Sequence, residues 1–378
     1  MTDPSTPRPA GRIWTFVPRT QRSIAAAIAV PLVIALLLVA WLVPLPYTIY
    51  SPGPTINVLG TGAQYGGPDQ PILRVSGHPV YRDGGQLRMV TVEVTTRAAK
   101  LGLGALLQAW FSRDDAVYPK SAVYPDSTGT VQTDQSSGQA EMVSSQDIAT
   151  AVALRELGYK VGTETEIESV TSGAPADGHL RARDVLVSVN GTPVTSATQS
   201  VKLVQATPVG SQIHLVVLRH GKRTDVTFTP GEQQGKPFLG ISVGDGYKFP
   251  FQVSVVIDPA IGGPSAGLMF SLSIYDLLTP GSLTGGQPIA GTGEIEPNGQ
   301  VAPIGGIQQK IPAAKNAGAK IFLVPADNCV DAVGADHGSM RLVKVTSFHS
   351  AVQAIKKWTQ NPNAALPSCG SANGVGGT

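Results

Sequence analysis

A serine in a turn rich in glycine and proline, Gly262-Gly263-Pro264-Ser265-Ala266-Gly267, lies 45 residues before the lysine that ends Gly305-Gly306-Ile307-Gln308-Gln309-Lys310. A serine hydroxyl is a weak nucleophile at neutral pH and needs a neighbour to take its proton. A lysine can do that if burial holds it neutral. With a reference pKa near 10.4, neutralising it at pH 7 costs about 4–5 kcal/mol unless an apolar site has already lowered that value. Val301, Ile304, Ile307 and Ile311 could supply such a site. Pro264-Ser265 also opens an apolar run (Ala266, Leu268, Met269, Phe270, Leu272, Ile274, Leu277, Leu278) that predicts a buried helix. Ser265 then sits at a helix N-terminus, where free N–H groups and the positive end of the dipole suit a developing oxyanion. These residues point to acyl transfer.

Composition sets the frame around them. In 378 residues there is room for two or three domains, and 42% hydrophobic content with four tryptophans can fill real cores. Charged residues are 14% and the formal net charge is +2, so there is no field for nucleic acid. The six histidines are scattered and no Cys-x-x-Cys or His-x-x-x-His occurs, so neither a metal nor another cofactor is expected. Ile24 to Val43 gives 20 positions without a charged or strongly polar side chain, enough to cross a hydrocarbon core of about 30 Å. The run exceeds the ~7–15 residues of a signal-peptide core, and no small-x-small cleavage site follows it. Arg8, Arg12, Arg19 and Arg22 precede it and no basic residue follows until Arg74. The positive-inside rule then puts the N-terminus in the cytoplasm and everything after about Tyr47 outside. On that outer side a Cys329–Cys369 bond would staple the C-terminal tail to the rest; two unpaired thiols are the alternative.

The region from about Gly240 to Lys356 resembles the proteolytic domain of Lon proteases. The residues that carry the resemblance are Gly263-Pro264-Ser265-Ala266-Gly267, Gly291-Thr292-Gly293-Glu294-Ile295, Asn298 to Gly306 ending in Lys310, and Ala317 to Pro325, all in the order of the family. The resemblance implies Ser265 as nucleophile, Lys310 as general base and Thr292 as the hydroxyl that holds the lysine amine. It carries over Glu294 as a site-lining residue and Gly263 and Pro264 as the frame of the nucleophile loop. In two places the chain departs from the pattern. Gly262 stands where many Lon domains have an acid three positions before the serine. Pro312 follows Lys310 by two residues, so the helix there is expected to start late or bend.

A second module resembles a PDZ domain of the bacterial protease type, through Ile167-Glu168-Ser169-Val170, Ser172-Gly173-Ala174-Pro175-Ala176, Leu180, Asp184 to Gly191 and Pro193-Val194. Strands over 212–219 and 224–229 complete it, and its carboxylate-binding loop is not a clear match. Such domains bind peptide ends by adding a strand to a sheet edge; a spacer or gate is the other role open to it. Elsewhere, Ser51-Pro52-Gly53-Pro54 reads as a turn, 86–95 as a strand and Ser145 to Leu157 as a helix stopped by Gly158. Leu101 to Phe111 is an apolar helical stretch. Packing or self-association would use such a face, and the outer leaflet or substrate are the alternatives.

The expected fold is α+β: an N-terminal transmembrane helix, a small barrel-like PDZ domain with helices, and a Lon-type α/β proteolytic domain. Its divisions are a cytoplasmic basic tail (1–22), the anchor (23–46), a segment with early protease strands (47–134), the PDZ domain (144–233), the proteolytic domain (238–358) and a disordered tail (359–378). The whole arrangement resembles membrane-anchored PDZ–Lon-like proteins of bacteria. The expected activity is that of a serine endopeptidase at the bacterial cell membrane, acting on extracytoplasmic proteins or peptides, with a possible homo-oligomer. No Gly-x-x-x-x-Gly-Lys-Ser/Thr occurs, so cleavage without ATP is expected. The alternative is a non-catalytic PDZ scaffold that binds peptides. A trypsin-like enzyme fits less well, since no Gly-Asn-Ser-Gly-Gly occurs.

Overall fold

The computed structural model describes residues 19–126, 128–219 and 221–370. Most of the expected basic tail and the last eight residues of the expected disordered tail lie outside them. The chain runs α1 (Arg19–Leu42), β1 (Tyr47–Asn57), β2 (Leu73–Ser76), β3 (Gln86–Val94), α2 (Leu103–Phe111), β4 (Ala116–Pro119), α3 (Lys120–Val123) and α4 (Val131–Glu156). Next come β5 (Gly162–Val170), β6 (Val185–Val189), β7 (Thr192–Pro193), α5 (Ala197–Gln205), β8 (Ile213–Arg219), β9 (Lys222–Phe228), β10 (Gly231–Gln233), β11 (Lys236–Phe238) and β12 (Ile241–Lys248). The last part holds β13 (Gln252–Val255), α6 (Gly267–Leu278), β14 (Pro288–Gly291), β15 (Glu294–Ile295), β16 (Val301–Ala302), α7 (Ile307–Asn316), β17 (Ile321–Pro325), α8 (Cys329–Ala332), β18 (Arg341–Val345) and α9 (Phe348–Gln360).

Two sheets organise these elements. The first has the order β18-β17-β14-β3-β1-β4, parallel from β18 to β3 and antiparallel beyond. Because side chains alternate across a strand, Ile289, Ile321 and Leu323 enter one core with α6, α4 and α9. Ala290, Phe322 and Val324 enter another with α7. The sheet is thus covered on both faces, as parallel strands require. The second sheet, β12-β5-β6-β8-β9, closes over its own core of Ile167, Leu186, Leu215, Val217 and Phe228.

Several sequence expectations change here. Ser51 to Pro54 is no turn but lies inside β1, where the register slips between Pro52 and Thr55. A bulge absorbs the prolines, and Gly53 is needed because a Cβ there would lie 2.3 Å from Thr91 Oγ1. Strand β12 pairs with β5, so the second sheet continues past residue 233. Helix α7 starts at Ile307, with no delay, and runs through Pro312. Residues 361–370 are held by the Cys329–Cys369 disulfide and by Lys344 N–H donating to Pro367 at 3.0 Å. The apolar run of the expected anchor lies in α1, where Ile24, Ile28, Leu32 and Leu36 are exposed. Among the described residues no helix is long and apolar enough to cross a membrane, and the span is not shown.

Candidate active site

Strand β14 ends at Gly291, and Thr292 follows it at the carboxyl edge of the sheet. Helix α6 brings Ser265 to this point from one face, and α7 brings Lys310 from the other. Ser265 lies two residues before the first residue of α6, a helix buried along its whole length. Lys310 is fixed because Ile307, Ile311 and Ala314 seat α7 in the core against Val90 and Phe322. Gly306, at φ 70°, turns the chain into that helix, and a Cβ on it would meet Val92 Cγ1 at 2.8 Å.

The three polar side chains form a closed set. Lys310 Nζ lies 2.9 Å from Ser265 Oγ and 3.2 Å from Thr292 Oγ1. The Thr292 hydroxyl donates to the Ser265 carbonyl at 3.0 Å, so its oxygen is left to accept from the lysine amine. Gly293 N–H donates to the same carbonyl at 2.9 Å. These bonds fix both the nucleophile's backbone and the direction from which the amine approaches it. Lys310 is 2% exposed with no carboxylate bonded to it among the described residues. Burial pushes its pKa down to about 7. A neutral amine at hydrogen-bond distance can accept the serine proton. The N–H groups of Ser265 and Ala266 have no acceptor among the described residues.

Helix α4 holds the loop that carries Ser265. Gly138 accepts from Gly263 N–H at 2.8 Å, Ser145 Oγ donates to the Pro264 carbonyl at 3.0 Å, and Gln139 Nε2 donates to the Pro259 carbonyl at 2.9 Å. The contact depends on Gly262, where a Cβ would lie 2.9 Å from the Gly138 carbonyl carbon. Sequence reasoning placed only 145–157 in this helix and missed its role. The small residues Ser136, Ser137 and Gly138 were the available signal.

A cleft of about 790 Å3 leads away from Pro264 and Glu294 between α4 and the second sheet. Its walls include Glu141, Asp147, Glu166 and Glu168. Burial, then the charge of Asp147, raises the Glu166 pKa to about 7. Glu294 is shifted up by burial first and then by Glu141 and Glu296. Asp147 pairs with Arg183 at 2.9 Å, and Arg155 lies 5.5 Å over the Tyr247 ring, so α4 also touches the second domain. Strand β12 is the terminal strand of the second sheet and runs beside α5. The turn into it, at Gly240 with φ 76°, is held by Thr171 N–H donating to Gly240 and Ala176 N–H donating to Leu239. Among the described residues no group of three or more His, Cys, Asp or Glu side chains is placed to hold a metal ion.

Comparisons with known proteins agree with this layout. Residues 258–353 match the Lon protease (S16) C-terminal proteolytic domain, and residues 166–219 match a PDZ domain. A Lon protease of Desulforamulus reducens is 42% identical over 69 residues, which cover 18% of this chain and 8% of that protein. Lon protease 2 of Bacillus subtilis is 35% identical over 95 residues, covering 25% of this chain and 17% of that protein. The chain therefore spans less than a fifth of the length of these relatives. The PDZ domain of an SdrC-like protein from Listeria innocua aligns with 21% of this chain and 92% of that one, at 21% identity and a TM-score of 0.20. The chain thus joins a segment that matches a PDZ domain to one that matches the Lon protease (S16) C-terminal proteolytic domain.

Proposed function

We propose that this chain is a membrane-anchored serine endopeptidase that cuts extracytoplasmic proteins or peptides without ATP, with Ser265 and Lys310 as its dyad. The observation that carries the reading is a buried lysine, its pKa lowered to about 7, with Nζ 2.9 Å from Ser265 Oγ. In the first step the Lys310 amine takes the hydroxyl proton as Ser265 Oγ bonds to the peptide carbonyl carbon. The Ser265 and Ala266 N–H groups receive the oxyanion. The Lys310 ammonium then gives its proton to the leaving amine as the C–N bond breaks. A water attacks the acyl-enzyme, its proton passes to Lys310, and the ester opens as Ser265 Oγ takes that proton back. Thr292 aims the amine, Gly263 and Pro264 shape the loop, and Glu294 lines the way in.

The PDZ domain selects or admits substrate. A peptide laid on the free edge of β12 beside α5 would gain main-chain hydrogen bonds there. The cleft between α4 and the PDZ sheet is lined by Ser242 and Gly246 of β12 as well as by Pro264 and Glu294. Placement at the membrane rests on the apolar run from Ile24 to Val43 and the arginines before it. The Cys329–Cys369 bond favours an oxidising, outer compartment. The test is digestion of an unfolded protein by the purified chain without nucleotide, beside Ser265→Ala and Lys310→Ala. Cleavage by the parent and a loss of about 10³-fold or more in either variant is expected. Equal rates in all three would remove the dyad from the mechanism.

A further inference from the structure

Helix α2 carries the largest exposed aromatic surface of the described residues outside α1. Phe111 is 81% exposed and Trp110 75% exposed, with Leu107 beside them, while Leu106 and Ala109 are buried. No charged side chain occurs between Leu103 and Phe111, and Lys100 and Arg113 flank the helix, followed by Asp114 and Asp115. A monomeric surface rarely keeps two neighbouring aromatics this bare unless they meet a partner.

Its place in the fold identifies that partner. Helix α2 packs against the C-terminal end of α1. Leu45 N–H donates to the Leu101 carbonyl at 2.8 Å. Gly102 and Gly104 let the two helices close up, since a Cβ on either would lie 2.7 Å from the Trp41 carbonyl oxygen or 2.5 Å from the Trp41 ring. Around this junction stand Trp41, Tyr47 and Tyr118, all exposed, the last two on the paired strands β1 and β4. Tryptophan and tyrosine concentrate where a membrane protein passes from hydrocarbon to water, and an apolar helix lying at that level buries its face among the acyl chains just below the headgroups. We propose that α2 is a second membrane contact, lying in the outer-leaflet interface with Leu107, Trp110 and Phe111 inserted. It would fix the height and tilt of the proteolytic domain above the bilayer. This rests on the proposed anchoring by α1.

The test uses the full chain reconstituted in phosphatidylcholine–phosphatidylglycerol vesicles. Single cysteines (Ile34→Cys, Phe111→Cys and Val209→Cys) are labelled with an environment-sensitive fluorophore; the native cysteines are bonded to each other. Lipids brominated near the headgroup or deep in the chain report depth. The Phe111→Cys label is expected to shift to the blue and lose most of its emission to shallow bromine, and the exposed Val209→Cys label on the PDZ domain to do neither. A Phe111→Cys label that stays open to aqueous iodide while the Ile34→Cys label is quenched by deep bromine would overturn the proposal and leave the anchor standing. Shielding that depends on protein concentration, with no quenching by lipid, would assign the face to a second copy and also overturn it. Quenching at Phe111→Cys without quenching at Ile34→Cys would support the interfacial helix and remove the spanning anchor. No quenching at either would overturn both.

Discussion

The two domains each bury an ionisable side chain, and they treat it in opposite ways. In the PDZ domain Asp184 is 1% exposed, but Arg219 grips both of its oxygens at 2.8 and 2.6 Å and Arg181 N–H adds a bond at 2.9 Å. Its charge is compensated, and the group serves to tie β6 to β8. In the proteolytic domain Lys310 is as deeply buried but touches only the neutral oxygens of Ser265 and Thr292. Its charge is left without compensation, and burial pushes its pKa down to about 7. A buried charge with a partner holds structure, whereas a buried group denied one is poised to move a proton.

Stability measurements can break this comparison. Lys310 has a folded pKa of about 7 against 10.5 for the ordinary side chain. Between those values the unfolded chain binds the extra proton, so native stability rises with pH across the window. Below about pH 7 the burial penalty is complete. Lys310→Met should therefore stabilise the proteolytic domain at pH 6–7 by on the order of 4 kcal/mol, with a gain that shrinks toward pH 10.5; denaturant midpoints across pH would show it. Parent activity should fall about tenfold per unit below pH 7, and a flat profile down to pH 5 would sink the lysine base. Asp184→Asn should do the reverse to stability, costing about 3 kcal/mol, read as lost hydrogen-exchange protection in β6 and β8. If both substitutions destabilised alike, the contrast would be empty.

The two halves were also unequally legible in the sequence. Ser265 and Lys310 are marked by local pattern, glycine turns beside apolar runs, and Thr292 only by the resemblance to Lon proteolytic domains; the structure brings all three within hydrogen-bond distance. What escaped was set by non-local contacts. The first half of α4, from Val131 to Ser144, has no apolar periodicity. A reciprocal Thr130–Thr133 cap starts it, and bonds to a loop more than a hundred residues away hold it. Strand β12 reads equally well as either domain's; only its pairing with β5, some seventy residues earlier, decides. Two prolines in four residues announced a turn at Ser51 to Pro54, but a bulge allows them inside a strand.

The latch on the nucleophile loop offers a smaller effect. Gly262→Ala would put a Cβ 2.9 Å from backbone carbon at Gly138, and neither chain segment can yield without moving. A displacement of about 1 Å at a reacting atom costs about 10²-fold in rate. Turnover should fall by that order while the denaturant midpoint moves little, because the PDZ core and most of the α6 packing are untouched. Unchanged turnover would mean that α4 does not position the serine.

Thr292 supplies the finest test of the uncompensated lysine. Its hydroxyl donates to the Ser265 carbonyl and leaves an acceptor for Lys310 Nζ 3.2 Å away. Thr292→Val keeps the shape and removes both bonds, so the amine loses the contact that turns its lone pair toward Ser265 Oγ. A hydrogen bond of about 1 kcal/mol translates to a drop of roughly fivefold to tenfold in kcat, with KM unchanged because no substrate atom is involved. Thr292→Ser should restore most of the rate. The pH profile discriminates further: without a neutral oxygen beside it the ammonium loses an acceptor, which moves the acid limb of the Thr292→Val profile to lower pH. A variant with parent kcat and an unmoved limb would show that burial alone, without this hydroxyl, prepares Lys310 for its proton.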